Sequence, residues 1–436
     1  MNLKVNLASD AINKKDGQNH LVIEVCPAKN LTIVPKPNAW VFVIDKSSSM
    51  FDRLNGTREY YMTRTPHFSA LPLRNASSEI PTKIEYAKSS IIAFLNKLTE
   101  KDKVGIVEFN SYANVVNELS PLTDKKRIIS SIESIQPSGC TNIDAGINLG
   151  RSLFSNSDLN KYNCKIILLS DGETNQGRQT AEELSTMTLN FLKDGITTSC
   201  LGIGDDYNSY LLNQMATTGG GYLYHVDDLT KIEKFFAEEL TLSNSILAKS
   251  VEIEISAPTY LEIEQNLNNY YEENKDDNKK IFIGDISSNR KVAIGFKNNH
   301  RTKDATFIIK CTYKALNDSH YTVETEKTVK VVDDATKYEK NMEVVDYVMS
   351  LIKSNAVSEA MLYAENRDIS SVNNVFTRSC SFVSSMANSY GLDAQYTNCV
   401  LDSVTTAQNS CANATSNASK SAIKASYSET ISKTRK

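Results

Sequence analysis

Val41-Phe42-Val43-Ile44-Asp45-Lys46-Ser47-Ser48-Ser49-Met50 is a run of apolar residues that stops at one carboxylate and a cluster of hydroxyls. Four consecutive apolar residues suit a parallel strand covered on both faces, and ligands of such sheets bind beyond the carboxyl ends of the strands. Asp45 stands at that end. Carboxylate and hydroxyl oxygens are hard donors, so Asp45, Ser47 and Ser49 can share one small divalent cation; Mg²⁺ prefers such oxygens with several waters retained. A Ser-rich turn in a Ser-rich chain gives the same letters without a metal.

Two later stretches put further oxygens where such a site needs them. Thr141 lies in Pro137-Ser138-Gly139-Cys140-Thr141-Asn142, a turn leading into the helical pattern Ile143 to Phe154. Asp171 ends a second buried run, Lys165-Ile166-Ile167-Leu168-Leu169-Ser170, and Gly172 after it lets the backbone turn sharply. D-K-S-S-S, then G-C-T-N, then L-L-S-D-G-E-T-N, in this order and spacing, resemble the metal-ion-dependent adhesion site of von Willebrand factor A domains. The likeness covers about residues 37 to 245, near half of the chain.

The resemblance implies a division of labour. Ser47 and Ser49 bind the cation directly through their hydroxyls, Thr141 binds directly in the ligand-ready state, and Asp45 and Asp171 hold it largely through waters. The implied cation is Mg²⁺, with Mn²⁺ or Ca²⁺ as substitutes. Carboxylates in the outer shell leave the ion much of its positive field, free to attract an external carboxylate. The implied function is a metal-dependent protein–protein interaction module that takes an Asp or Glu of a partner and does not catalyse. The competing reading keeps the fold and treats Asp45 and Asp171 as hydrogen-bond caps for their loops. Cys140 departs from the family pattern, which more often has glycine there.

Outward from the motifs, apolar strand runs alternate with helical patterns between residues 37 and 245, which predicts a doubly wound, Rossmann-like α/β sheet of six strands. Tyr112 to Leu119 is expected as an antiparallel edge beside Val104 to Phe109. Residues 246–334 hold period-two strands such as Val251-Glu252-Ile253-Glu254-Ile255, the mark of a half-buried antiparallel sandwich. Leu3 to Leu7 and Leu21 to Cys26, in residues 1–36, are two strands without partners of their own. They are expected to complete that sandwich, with the metal-site domain inserted into it, an arrangement resembling the inter-alpha-trypsin-inhibitor heavy-chain type. Residues 265–280 read as a long solvated loop. Residues 335–400 read as a small helical domain, and 401–436 as a low-complexity tail, flexible or weakly helical for want of large apolar residues. Roughly thirty residues, Phe51 to Thr82, separate the serines from the first helix. Arg53, Arg58, Arg64, His67 and Arg74, with Tyr60, Tyr61 and Phe68, make this segment either a surface loop or a ligand-selecting rim.

At 436 residues the chain should form two or three units with real cores. A net charge of −4 with dispersed Lys and Arg argues against nucleic acid. Met1 to Leu7 lacks the apolar core of a secretion signal, and no apolar run reaches bilayer length, so a cytoplasmic protein without membrane insertion is expected. The eight cysteines have no C-x-x-C pair or zinc spacing and read as free thiols. No phosphate loop or nucleophile elbow supports an enzyme. The alternative functions are a structural or assembly subunit, with self-association, and an adaptor in the ubiquitin pathway, the latter implied only by the resemblance to von Willebrand factor A proteins.

Overall fold

The chain begins with β1 (Asn2–Leu7), β2 (Ala11–Asn13) and β3 (Gly17–Cys26) before reaching β4 (Asn38–Asp45), the strand of the stretch quoted above. The computed structural model describes residues 1–15, 17–27, 36–53, 81–171, 174–205, 207–226, 229–275, 278–299, 302–417 and 420–435. After β4 follow α1 (Lys83–Leu95), β5 (Lys103–Phe109), β6 (Ala113–Pro121), α2 (Lys125–Glu133), α3 (Ile143–Ser152) and α4 (Asn156–Lys161). Then come β7 (Asn163–Ser170), α5 (Ala181–Lys193), β8 (Ile196–Ile203), α6 (Ser209–Thr218), β9 (Gly220–Val226) and α7 (Leu229–Asn244).

These strands form one sheet in the order β6-β5-β4-β7-β8-β9, parallel except for the β6 edge. The expected six-stranded doubly wound sheet is present. Within this unit the sequence did not announce α4 or the short 3₁₀ helix Ser48–Phe51. Every residue of β4 is buried because its alternate side chains enter two different layers. Ala39, Val41 and Val43 pack with Ile143, Ile147 and Leu184 on one face; Trp40, Phe42 and Ile44 pack with Ile91, Phe94 and Phe236 on the other. Each such large apolar side chain contributes about 1.5–3 kcal/mol of burial. The chain leaves β4 toward β5 on one side and leaves β7 toward β8 on the other, so the topological switch point lies between β4 and β7. There the loops diverge and open a crevice.

The second unit comprises β10 (Ala248–Ser256), β11 (Leu261–Asn266), β12 (Tyr271–Lys275), β13 (Asn278–Ile286), β14 (Arg290–Asn298), β15 (Ala305–Lys314) and β16 (His320–Val332). Two sheets face each other, β1-β3-β14-β11 and β12-β13-β10-β15-β16-β2. The amino-terminal strands complete this sandwich, as expected: β3 pairs along the length of β14, and β2 joins β16 in parallel. The doubly wound unit is therefore an insertion between β3 and β10. Residues 265–280 correct the loop reading, because Tyr271–Lys275 pairs with β13. The polar letters are accounted for by cross-strand partners: Lys279 binds Glu272, and Tyr271 packs beside the Phe282 ring.

Four helices follow, α8 (Met342–Glu365), α9 (Ile369–Tyr390), α10 (Ala394–Asn417) and α11 (Lys420–Arg435). The last two overturn the expectation of a flexible or weakly helical tail. Val404, Cys411, Ile423 and Tyr427 are buried in the same core as Val41 and Leu168. Tyr427 is fully enclosed, and Lys424 lies over the Tyr207 ring, 3.9 Å from its centre. Four apolar side chains spaced along these otherwise small-residue helices are enough to join that core. Among the described residues no helix is long and apolar enough to cross a membrane. Among the described residues the eight cysteines form no disulfide.

Candidate metal centre

Asp45 is the last residue of β4 and Asp171 directly follows β7, so adjacent parallel strands deliver both carboxylates to the crevice at the switch point. Both are fully buried. After Asp45 the chain turns into a short 3₁₀ helix, Ser48–Phe51, which brings Ser47 and Ser49 back over the strand ends. The Ser47 N–H donates to Asp45 Oδ1 at 2.8 Å and Ser170 Oγ donates to Asp45 Oδ2 at 2.6 Å. Ser47 Oγ and Ser49 Oγ share a hydrogen bond of 3.1 Å, and Ser49 Oγ donates to Asp171 Oδ1 at 2.9 Å. Four of the five residues read from the sequence thus form one connected cluster.

Thr141 comes from the third loop and is itself buried. The loop is tied to the first by Ser48, whose N–H and hydroxyl both donate to the Gly139 carbonyl at 3.0 Å. Gly139 has a left-handed φ of +80°, and a Cβ there would press on Asn110 at 3.1 Å. That turn is what glycine provides. Thr141 is held by its backbone: its N–H donates to Asn175 Oδ1 at 3.0 Å, and its carbonyl accepts from the N–H groups of Asn175 and Gln176. Its hydroxyl makes no hydrogen bond among the described residues, unlike those of Ser47 and Ser49. Cys140 is exposed, so the departure from glycine costs the loop nothing sterically. Gly172 and residues 54–80, including the arginine- and tyrosine-rich part of the segment after the serines, lie outside the described residues.

Electrostatics favour an added cation. Burial pushes the Asp45 carboxyl above the usual carboxylate range, and the charge of Asp171 pushes it further, against the hydrogen bonds from Ser170 and Ser47. Burial likewise raises Asp171, opposed by Lys83. Two buried, mutually repelling carboxylates beside hydroxyl oxygens are a hard donor set that fits a small divalent ion. Among the described residues no three His, Cys, Asp or Glu side chains converge as a metal cluster, so any ion here relies on the hydroxyls. The loop-capping role is present as well: each carboxylate oxygen already accepts a hydrogen bond.

Sequence reading missed Lys83, whose Nζ donates to Asp171 Oδ2 at 2.7 Å from a fully buried position. The available signal was Thr82-Lys83-Ile84-Glu85, a capping box that fixes a lysine at the first turn of a buried helix.

A family model described as the von Willebrand factor type A domain matches residues 74–238. The Escherichia coli protein YfbK is 24% identical over 174 residues, which make up 40% of this chain and 30% of that protein. Human inter-alpha-trypsin inhibitor heavy chain H3 is 23% identical over 249 residues, 55% of this chain and 24% of its own. The chain thus spans less than half the length of these curated relatives. Among solved structures, a von Willebrand factor type A protein from Catenulispora acidiphila superposes with a TM-score of 0.65 at 15% identity, covering 89% of this chain and 87% of that one. The ArnB paralog VWA2 from Sulfolobus acidocaldarius gives a TM-score of 0.61 at 16% identity, with 100% and 98% covered. At such identity the likeness is one of fold, and it extends across the sandwich and the helices as well as the doubly wound sheet.

Proposed function

We propose that this chain, a von Willebrand factor type A domain protein, binds a partner protein by presenting a divalent cation, Mg²⁺ foremost, to an Asp or Glu side chain of that partner. The domain is commonly a protein-interaction module, and the finer reading rests on one observation. Asp45, Ser47, Ser49 and Asp171 converge at the switch-point crevice with both carboxylates buried and pushed upward by burial. Thr141, on the neighbouring loop and with its hydroxyl making no hydrogen bond among the described residues, would supply the fifth oxygen. In this reading Ser47, Ser49 and Thr141 hold the ion through hydroxyls, and the two aspartates balance its charge.

The surface around the crevice suits a protein contact. Tyr112, 78% exposed, projects from the loop whose Ser111 and Asn110 brace the Thr141 loop. An exposed aromatic beside a charged anchor is the composition of a binding hot spot. In this reading the site binds rather than catalyses, with Lys83 and, more weakly, Asp52 as the titratable neighbours of Asp171 among the described residues. A cytoplasmic location belongs to the same proposal and is read by cell fractionation.

The test is calorimetric titration of Mg²⁺ into the full chain. Wild-type protein should bind one ion, and Asp45→Ala and Ser47→Ala should each lose at least about tenfold in affinity, roughly 1.4 kcal/mol. Identical heats from wild type and both variants would leave the carboxylates with their capping role alone.

A further inference from the structure

Lys83 occupies the first position of α1, where unpaired N–H groups and the helix dipole make a cation unwelcome. The position is nonetheless fixed. Thr82 Oγ accepts from the Glu85 N–H while the Glu85 carboxylate accepts from the Thr82 N–H, and the Lys83 N–H donates to the Asp52 carbonyl. The side chain is 2% exposed. Gly204 makes room for it: a Cβ there would lie 2.9 Å from Lys83 Cε, and the residue has a φ of +77°. An ammonium removed from water is costly unless it answers a buried anion, and Asp171 is that anion.

We propose that Lys83 is a built-in counter-cation of the metal centre that loosens the grip on the divalent ion and sharpens the attraction of the loaded site for a carboxylate. The inference rests on the metal-binding reading given above. Among Asp45, Asp171 and Lys83 the formal charges sum to a single negative one, so an ion bound there meets one unit more positive charge than it would without Lys83. Repulsion from Lys83 weakens the ion's binding. The same surplus charge, in a buried setting where fields are poorly screened, draws an anionic group from outside. Asp52 acts on Asp171 more weakly and is common to every comparison made below. A lysine that merely props the loop would weaken both steps when removed; a counter-cation moves them in opposite directions.

The experiment titrates Mn²⁺ into full-length wild type, Lys83→Met and Lys83→Gln by calorimetry, then adds acetate to the Mn²⁺-loaded proteins at constant ionic strength, following bound water by proton relaxation. Both variants should bind Mn²⁺ on the order of tenfold tighter, while acetate displaces bound water on the order of tenfold less readily. Lys83→Gln keeps a donor for Asp171 and carries the comparison where methionine compromises folding. Mn²⁺ affinity that is unchanged or weaker in a folded variant overturns the counter-cation role and leaves the metal reading standing. Binding by the variants but not by wild type supports the role of Lys83 and overturns metal-assisted recognition by the natural protein. Binding by none overturns both.

Discussion

Lys165 and Glu239 show how much a single buried charge can matter away from the switch-point crevice. Lys165 Nζ donates to Glu239 Oε2 at 2.8 Å and sits 5.6 Å from the centre of the Trp40 ring, while Ser199 Oγ donates to Glu239 Oε1 at 2.7 Å. Glu239 is 1% exposed. Lys165→Met strands that carboxylate in the core and should cost about 3 kcal/mol, seen as a lower urea midpoint. Adding Glu239→Leu should recover part of the loss, because a buried pair replaced by apolar groups is often nearly neutral. Pairs of this kind were not legible in the sequence. The convergence of Asp45, Ser47, Ser49 and Asp171 was, because these residues sit in short local patterns at the ends of two apolar runs. Lys83 and Asp171, or Lys165 and Glu239, are partners only after the sheet brings distant segments together.

Among the elements, α11 carries the clearest expectation. Tyr427 lies fully buried against the doubly wound unit, so Tyr427→Ala should destabilise the protein by about 3–5 kcal/mol. Hydrogen exchange should then quicken in α8 and β9, on which α11 packs; unchanged exchange there would mean the helix is not an integral layer. The sequence hid this element because its burial depends on a few large side chains among many small ones. The spacings from Val404 to Cys411 and from Ile423 to Tyr427, seven and four residues, were the helical signal that remained. The strands of the inserted sheet were legible because their apolar runs are continuous, as double coverage requires. By contrast β2 has three residues and β12 is polar, so only pairing defines them.

At the scale of the whole molecule, the inserted sheet and the sandwich each keep one buried cluster of their own, while the buried side chains of the helical unit are divided between two clusters shared with them. Helical side chains such as Phe376 and Tyr427 share a cluster with the inserted sheet, while Val22 and Ala293 of the sandwich share another with Val345 and Met386. His20 Nδ1 and Tyr390 Oη lie 2.6 Å apart across the latter boundary. The protein should therefore unfold in one transition despite its length. Trp40, the single tryptophan, reports on the inserted sheet, and circular dichroism reports on the whole chain. Their denaturation curves should coincide, and Ile23→Ala in the sandwich should shift both together. Two separated transitions would show independent units.

The insertion also has a mechanical side. β4 starts at Asn38, whose Nδ2 donates to Asn244 Oδ1 at 3.0 Å, so the segments entering and leaving the inserted unit meet at one pole. Asp45 stands at the other, roughly 23 Å along the strand. A tug on anything held at that rim runs parallel to β4 and its neighbours toward the two linkers. Tension of that direction shears the central ladders, so their hydrogen bonds must fail together rather than unzip one by one.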